Sequence, residues 1–204
     1  MNEMKMIKTA KGLDTFFKVL QRIIAVCMIV MVVVVGVLTV VNAIDPDAVI
    51  GEDFHMVDIG PITVELAEEL APDNGAVLTY AWIAVALGLG AAAATYWAFG
   101  CIRKILAPMR EGNPFHESVS SNIKKVGCAV LVWGVISNVG KMVETSAALR
   151  YFNFESLAAT GEIRSVTVNH QFDLTFLLVF FLLLLVSYIF RYGTELQRLS
   201  DETL

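Results

Sequence analysis

A chain of 204 residues in which 56% are hydrophobic and only 17% are charged is too apolar for an ordinary soluble domain, because average globular domains are roughly 45–50% apolar and about 25% charged. A helix that crosses the roughly 30 Å hydrocarbon core of a bilayer needs about 20 residues, so four crossings with their loops would fill this length. The formal net charge of −5 matters less than where the charges lie. We therefore expect an all-α membrane protein with a four-transmembrane-helix bundle, forming a single membrane domain over residues 1–204.

The first predicted span covers about residues 20–43. Its run from Ile23 to Val41 contains no charged residue and is long enough to cross a membrane. Five basic residues precede this run: Lys5, Lys8, Lys11, Lys18 and Arg22. The alternative is a signal peptide cleaved after Ala43, but the apolar run exceeds the roughly 7–15 residues of a signal-peptide core. We therefore expect a transmembrane helix that is retained.

The first outer loop, residues 44–75, contains nine acidic residues and no Lys or Arg. Several carboxylates together could supply the oxygen ligands that hard divalent cations need. Their spacing matches no metal-binding loop, so we interpret them as solvated charges. The sequence predicts no metal site and no cofactor.

The second predicted span, residues 76–99, is rich in small residues. Ala84, Gly88 and Ala92 recur every four positions, and small residues let helix backbones approach closely in lipid, where no hydrophobic force drives helices together. We predict that these three residues pack against a neighbouring helix and that this span is the most enclosed of the four. The alternative is an Ala-rich span without a specific partner.

The predicted cytoplasmic loop, residues 100–125, contains the distinctive motif Gly112-Asn113-Pro114-Phe115. Asn113 could cap a helix and Pro114 could occupy its first turn. Phe115, Val119 and Ile123 would then share one face of a short amphipathic helix that lies along the inner membrane surface and runs into the third span. Its basic residues would meet anionic lipid or an acidic partner.

The third predicted span, residues 126–149, carries a polar stripe: Ser137, Asn138, Lys141 and Glu144. A lysine near the membrane centre costs about 2.5–3.5 kcal/mol on insertion scales, so it should face a partner, water or the bundle interior. One interpretation is an intramembrane site for an ion, a proton or a ligand. The other, which we favour, is a lysine that extends to the outer headgroups while Asn138 bonds a neighbouring helix.

The second outer loop, residues 150–171, contains a segment that alternates apolar and polar residues, from Ser165 to Asn169. The segment from Ile62 to Leu66 in the first outer loop has the same period of two, which is typical of a half-buried strand. We therefore predict a small extracytoplasmic β-rich cap formed by pairing across the two loops.

The fourth predicted span, residues 172–191, is apolar on all sides and leads into a tail, residues 192–204. Gly193 could end the helix, and Thr194 with Gln197 has the spacing of a capping box for a separate tail helix. This tail helix would present Leu196 and Leu199 either as a docking element or as a surface anchor.

Orientation follows from the basic residues in the flanks. The N-terminal flank and residues 100–125 contain five Lys and Arg each, while residues 44–75 contain none. Because basic flanks remain in the cytoplasm, we expect a multi-pass protein of the bacterial inner or plasma membrane with the N-terminus and the C-terminus in the cytoplasm.

The motifs around Gly112, Pro114 and Phe115, and those around Gly193, Leu196 and Gln197, resemble a family of small bacterial four-helix membrane proteins catalogued as a domain of unknown function. The resemblance covers essentially the whole chain in its pattern of spans. It implies a four-helix fold and, because such proteins are often encoded beside an Xre-type helix-turn-helix regulator, a regulatory partner in the cytoplasm. It implies no catalytic residue.

No hydrolytic, phosphate-binding or redox motif occurs in the chain. We therefore predict a non-enzymatic membrane protein that senses an envelope condition and engages a cytoplasmic partner, such as a transcription regulator. The alternative is a small channel or transporter subunit that uses the polar stripe of the third helix. The predicted partners are the lipid bilayer and this regulator, without direct nucleic-acid binding, and a homo-oligomer is left open.

Overall fold

The computed structural model describes residues 3–45, 56–59, 62–65, 74–151 and 172–202. Within these ranges the chain forms four long helices: α1 (Glu3–Ile44), α2 (Asn74–Arg110), α3 (Glu117–Tyr151) and α4 (Thr175–Glu202). Each helix contains a segment long and apolar enough to cross a membrane. The predicted all-α class with four candidate spans is confirmed.

All four helices continue beyond the apolar runs. α1 contains 42 residues, which at a rise of 1.5 Å per residue makes it about 63 Å long, twice the thickness of the hydrocarbon core. The basic flank before Ile23 is part of this same helix because it contains no proline and only one glycine, Gly12. The excess length therefore places polar helical turns outside the predicted spans.

A two-stranded antiparallel hairpin occurs in the first predicted outer loop. Strand β1 (Met56–Ile59) pairs with strand β2 (Ile62–Glu65), with Ile59 opposite Ile62. The strand predicted from Ile62 to Leu66 thus finds its partner in its own loop, since a short connection brings β1 beside it. The predicted partner segment, residues 165–169, lies outside the described residues, and the β-rich cap built across both loops is not supported.

The chain divides into two compact units. The first contains residues 1–28, 89–137 and 172–204, and the second contains residues 29–88 and 138–171. In the second unit, the Trp82 Nε1 of α2 donates a hydrogen bond to the Thr39 Oγ1 of α1 at 3.0 Å. Gly140 of α3 lies near Leu87 of α2.

The core of the first unit centres on the beginning of α3. Val119 is completely buried, and Ile123, Val126 and Ala129 follow it on the same face. The predicted position of this amphipathic helix along the membrane surface is therefore wrong, because its apolar face is covered by protein, although the helix does run into the third span. α3 continues without a break from Glu117 through its apolar run.

α3, and not α2, has the most enclosed span. Of the most apolar part of α3, 28% is buried, against 17% for α2 and 6% each for α1 and α4. The prediction that α2 has the most enclosed span is therefore wrong. The closest helix contacts in the first unit use small residues of α3. The polar residues of α3 made these small residues harder to recognise as a packing face in the sequence.

Candidate functional site

The contact between α3 and α4 follows a seam of small residues on α3. Ser120, Gly127 and Gly134 are spaced by seven residues, which places them on one face of the helix. A Cβ at Gly127 would lie 3.3 Å from the Phe180 ring, and a Cβ at Gly134 would lie 2.1 Å from Cγ of Phe176. The aromatic rings of α4 therefore occupy the space that larger side chains on α3 would need.

Two serines hold the polar end of this seam. The Ser120 hydroxyl donates to the Ser187 carbonyl at 2.9 Å, and the Ser187 hydroxyl donates to the Ser120 carbonyl at 2.9 Å. Ser187 is buried, and hydroxyl bonds between membrane helices contribute roughly 0.6 kcal/mol on average. The reciprocal pair therefore fixes the register of the two helices more than it adds stability.

The motif Gly112-Asn113-Pro114-Phe115 forms the turn between α2 and α3. Gly112 has a φ of 84°, which lies in the left-handed region that glycine adopts without steric cost. Its amide donates to the Met109 carbonyl at 3.3 Å, and the Asn113 amide donates to the Pro108 carbonyl at 3.0 Å. These two bonds are the pattern of a Schellman motif, so the glycine ends α2.

The prediction that Asn113 caps α3 and that Pro114 begins it is wrong. α3 begins at Glu117, and the His116 side chain lies at its start, where His116 Nδ1 accepts the Ser118 amide at 3.1 Å. Asn113 is engaged at the end of α2 instead, because the left-handed glycine turns its amide toward the carbonyls of that helix.

Phe115 connects this turn to α4. A Cβ on Gly193 would lie 2.9 Å from Cδ1 and Cε1 of Phe115, so the ring lies directly against the glycine backbone. The ring centroid of Phe115 is also 5.9 Å from that of Phe190. The two motifs singled out in the sequence therefore meet at one contact, which we call the Phe115–Gly193 junction.

Gly193 does not end α4. The helix continues to Glu202, and the Thr194 hydroxyl donates to the Phe190 carbonyl at 2.9 Å within it. The predicted helix break, and the capping box formed by Thr194 and Gln197, are therefore wrong. The absence of a side chain at Gly193 is explained by the close approach of Phe115, a role that sequence alone does not distinguish from helix termination.

An open polar groove lies beside the junction, between α3 and α4, with a volume of about 460 Å³. Its lining includes the basic side chains of Lys124, Arg191 and Arg198 and the acidic side chains of Glu117 and Glu195. Arg191 Nε lies 3.7 Å from Glu195 Oε1, and both side chains are largely exposed. Exposed ion pairs of this kind are weak. The charged groups of Arg191 and Glu195 therefore stay accessible to a ligand in the groove.

Residues 65–204 of the chain match a family described as Protein of unknown function (DUF2975). The chain belongs to this family. No curated protein and no solved structure gives a significant match. The region matched to DUF2975 contains α2, α3 and α4, and it therefore includes both sides of the Phe115–Gly193 junction and the whole groove.

The polar stripe on α3 lies outside the junction. Ser137 and Asn138 are half-buried, and the Lys141 side chain is exposed. Glu144 belongs to α3, but its side chain lies outside the described part of the chain. Both interpretations of this stripe, the ion or ligand site and the favoured lysine that extends to the outer headgroups, remain predictions.

The predicted packing residues of α2 lie along the helix as expected from their spacing. A Cβ at Gly88 would lie 3.3 Å from the Met31 Sδ of α1, so this glycine faces a neighbouring helix closely. Ala84 and Ala92 are half-buried. Gly90, two residues after Gly88, also faces another helix, because a Cβ there would lie 3.4 Å from Cδ1 of Ile136 on α3.

The sequence did not indicate a charge cluster between α1 and α2. Asp14 accepts hydrogen bonds from Arg103 Nε at 2.9 Å and from Arg110 Nη1 at 2.8 Å. Arg103 Nη1 also donates to Gln21 Oε1 at 2.9 Å, and Gln21 Nε2 donates to the Tyr96 carbonyl at 3.1 Å. The sequence feature that could have indicated this cluster is Asp14, a single carboxylate among the basic residues that precede the first span.

Among the residues that the structure describes, no three His, Cys, Asp or Glu side chains lie close enough to hold a metal ion. Most of the acidic loop, residues 46–55 and 66–73, lies outside that part of the chain, as do His55 and His170. The prediction of no metal and no cofactor for this DUF2975 protein therefore stays a prediction.

Proposed function

We propose that this chain is a non-enzymatic, multi-pass protein of the bacterial inner membrane that senses an envelope condition and engages a cytoplasmic protein, such as a transcription regulator. Both termini would lie in the cytoplasm, as the basic flanks indicate. The partner would bind the exposed end of α4 beside the Phe115–Gly193 junction.

The observation that carries this proposal is an apolar stripe on the end of α4 whose side chains are at least half exposed. Tyr192, Leu196 and Leu199 are 64%, 50% and 54% exposed, and their spacing places them on one helix face. An amphipathic helix that presents such a row of anchors is a common recognition element for a groove on a partner.

The continuity of α4 supports docking over anchoring to the membrane surface. Arg191 is the first charge after the fourth apolar run, and Leu199 follows it eight residues later in the same helix. At 1.5 Å per residue, Leu199 lies about 12 Å further along the helix axis. A stripe on a helix that continues along the axis of the membrane span points away from the membrane–water interface, whereas the apolar face of a separate helix lying flat would enter that interface.

The Phe115–Gly193 junction supports a route for the signal. It joins the turn after α2 to α4 close to the exposed stripe, so a shift of the helices would alter how the stripe is presented. For any envelope signal to act, it must bind two conformations of the protein with different affinity. The outer loops are the natural receivers because they are the predicted envelope-facing segments.

The alternative, a small channel or transporter subunit, has weaker support. The exposed side chain of Lys141 favours a lysine that extends toward the headgroups over one that lines an enclosed polar path. Flux that depends on Lys141 would nevertheless favour this alternative.

The test is affinity purification of the full chain from its native membrane as wild type, as the double variant Leu196→Glu/Leu199→Glu, and as Met4→Glu. Met4 is a matched control because it is 77% exposed at the basic end of α1. We expect a stoichiometric cytoplasmic protein with wild type and Met4→Glu, and its loss with the double variant.

The same preparations in liposomes address the alternative function. We expect no ion or solute flux from the wild type. Flux that is abolished by Lys141→Ala would show that the protein is a transporter or channel subunit and not a regulator. Retention of the same partner by the Leu196→Glu/Leu199→Glu variant would remove α4 as the docking element.

A further inference from the structure

The groove between α3 and α4 lies where both helices leave the predicted hydrocarbon core. Lys124 lies two residues before Val126, where the third apolar run begins, and Arg191 directly follows Phe190, where the fourth run ends. The reciprocal bonds between Ser120 and Ser187 hold these ends of the two helices side by side. The two cations therefore lie near the level of the lipid headgroups.

The membrane-facing end of the groove favours an anion. Arg198 lies 3.4 Å from Glu202 Oε1 and is therefore already paired. Lys124 and Arg191 are the basic residues of the lining nearest the apolar runs, whereas Glu117 and Glu195 lie further along their helices from these runs. The Arg191 side chain remains 71% exposed despite the nearby Glu195. An Arg or Lys that is only loosely paired can form charge-assisted hydrogen bonds with the oxygens of a phosphate group.

The lining also continues toward lipid. Leu184 and Tyr188 of α4 line the groove on the side of the apolar run, and Tyr188 is 66% exposed. Tyrosine is enriched at the headgroup level of membranes because its ring is apolar and its hydroxyl is polar. Next to these residues, Phe181 and Leu185 are 63% and 57% exposed on α4, where an acyl chain could lie.

We propose that this groove binds the phosphate group of an anionic phospholipid, with Lys124 and Arg191 as the principal contacts. The continuity from basic side chains to an exposed apolar helix surface matches a molecule with a phosphate head and an acyl tail. A soluble phosphate would use only the polar half of the lining. The proposal does not depend on the docking of a cytoplasmic partner.

The test uses the full chain in detergent, titrated with fluorescent phosphatidylglycerol and, separately, with phosphatidylcholine of the same acyl chains. The variants are Lys124→Gln, Arg191→Gln and the matched control Lys125→Gln. Lys125 is the adjacent residue and is exposed like Lys124, but it does not belong to the groove lining. Circular dichroism melting of each variant verifies that it remains folded.

We expect preferential binding of phosphatidylglycerol, and a loss of affinity of about fivefold for each groove variant, since one Lys or Arg near a membrane surface contributes about 1 kcal/mol. Lys125→Gln should bind like the wild type. If Lys124→Gln misfolds, Arg191→Gln provides the same measurement from the other helix.

Three results would overturn the proposal. Equal binding of the two lipids would remove the role of the anionic headgroup. Equal losses for Lys124→Gln and Lys125→Gln would reduce the effect to general surface charge. Displacement of the lipid probe by inorganic phosphate at comparable concentration would identify a soluble phosphate as the ligand instead.

Discussion

The contacts of α1 with α2 and of α3 with α4 in the first unit are stabilised in different ways. α3 and α4 approach along small residues, with Phe176 lying against the backbone of Gly134. α1 is joined to α2 by polar groups at its basic end, where Asp14 bridges Arg103 and Arg110. For the two glycines of α1, Gly12 and Gly36, no atom of the described residues lies within 4 Å of the Cβ that each lacks.

This difference shows that glycine content alone does not identify a packing face in a membrane helix. In lipid, close van der Waals contact is the main force between helices, and a small residue matters only where another helix occupies the space. α3 uses its small residues in this way, whereas in the first unit α1 is joined to α2 by the Asp14 ion pairs and by the contact between the Phe17 and Phe99 rings. Three substitutions would test the contrast, in order of decreasing expected effect.

Gly134→Ala should destabilise the protein most. Its Cβ would lie 2.1 Å from Cγ and 2.5 Å from Cβ of Phe176, and the latter atom cannot move without the backbone of α4. Overpacking of this kind costs typically about 1–3 kcal/mol. We expect a loss of about 2 kcal/mol in the free energy of unfolding, measured by SDS titration with circular dichroism.

Gly36→Ala is the matched control for this substitution. A Cβ there meets no atom within 4 Å in the part of the chain that the structure describes, so the change should raise stability by about 0.5–1 kcal/mol through the better helix propensity of alanine. Equal effects of the two substitutions would contradict the close seam between α3 and α4.

Asp14→Asn should have an intermediate effect. The Asp14 side chain is only 15% exposed, while Arg103 and Arg110 are 33% and 42% exposed. Loss of a fully buried ion-pair partner costs about 3–5 kcal/mol, so partial exposure reduces the expectation to about 1–2 kcal/mol, read from the same SDS titration.

Glu195→Gln provides the comparison for Asp14→Asn, because its pair with Arg191 is long and largely exposed. This change should alter stability by no more than about 0.5 kcal/mol. A comparable loss in both variants would show that α1 is not held by the Asp14 cluster in particular.

Gly193→Ala should have the smallest effect of the three, about 1 kcal/mol, because the atoms that it meets are at the edge of the movable Phe115 ring. The double variant Phe115→Ala/Gly193→Ala should recover the part of the loss caused by the clash. A double-mutant cycle in the same titration measures this coupling. Strictly additive losses would mean that the two motifs do not contact each other.

Several features of the fold follow from local sequence. The apolar runs predicted the four helices because hydrocarbon requires long segments with internally satisfied backbone hydrogen bonds. Gly112 suits the end of α2 because glycine adopts the left-handed conformation found there without steric cost. The predicted cap at Asn113 was wrong because Gly112 turns the Asn113 amide back toward α2. The helix break at Gly193 and the membrane-surface position of the helix at Val119 were wrong because each depended on which other segment lies beside it.

The sequence by itself determined that the chain has four candidate membrane helices, because length and hydropathy are properties of each segment alone. Only the tertiary structure decided that Phe115 lies on Gly193, that Val119 is buried in protein, and that Lys124 and Arg191 share a groove. These are contacts between residues distant in the chain. Their partners are chosen by helix register and close packing, which no local pattern specifies.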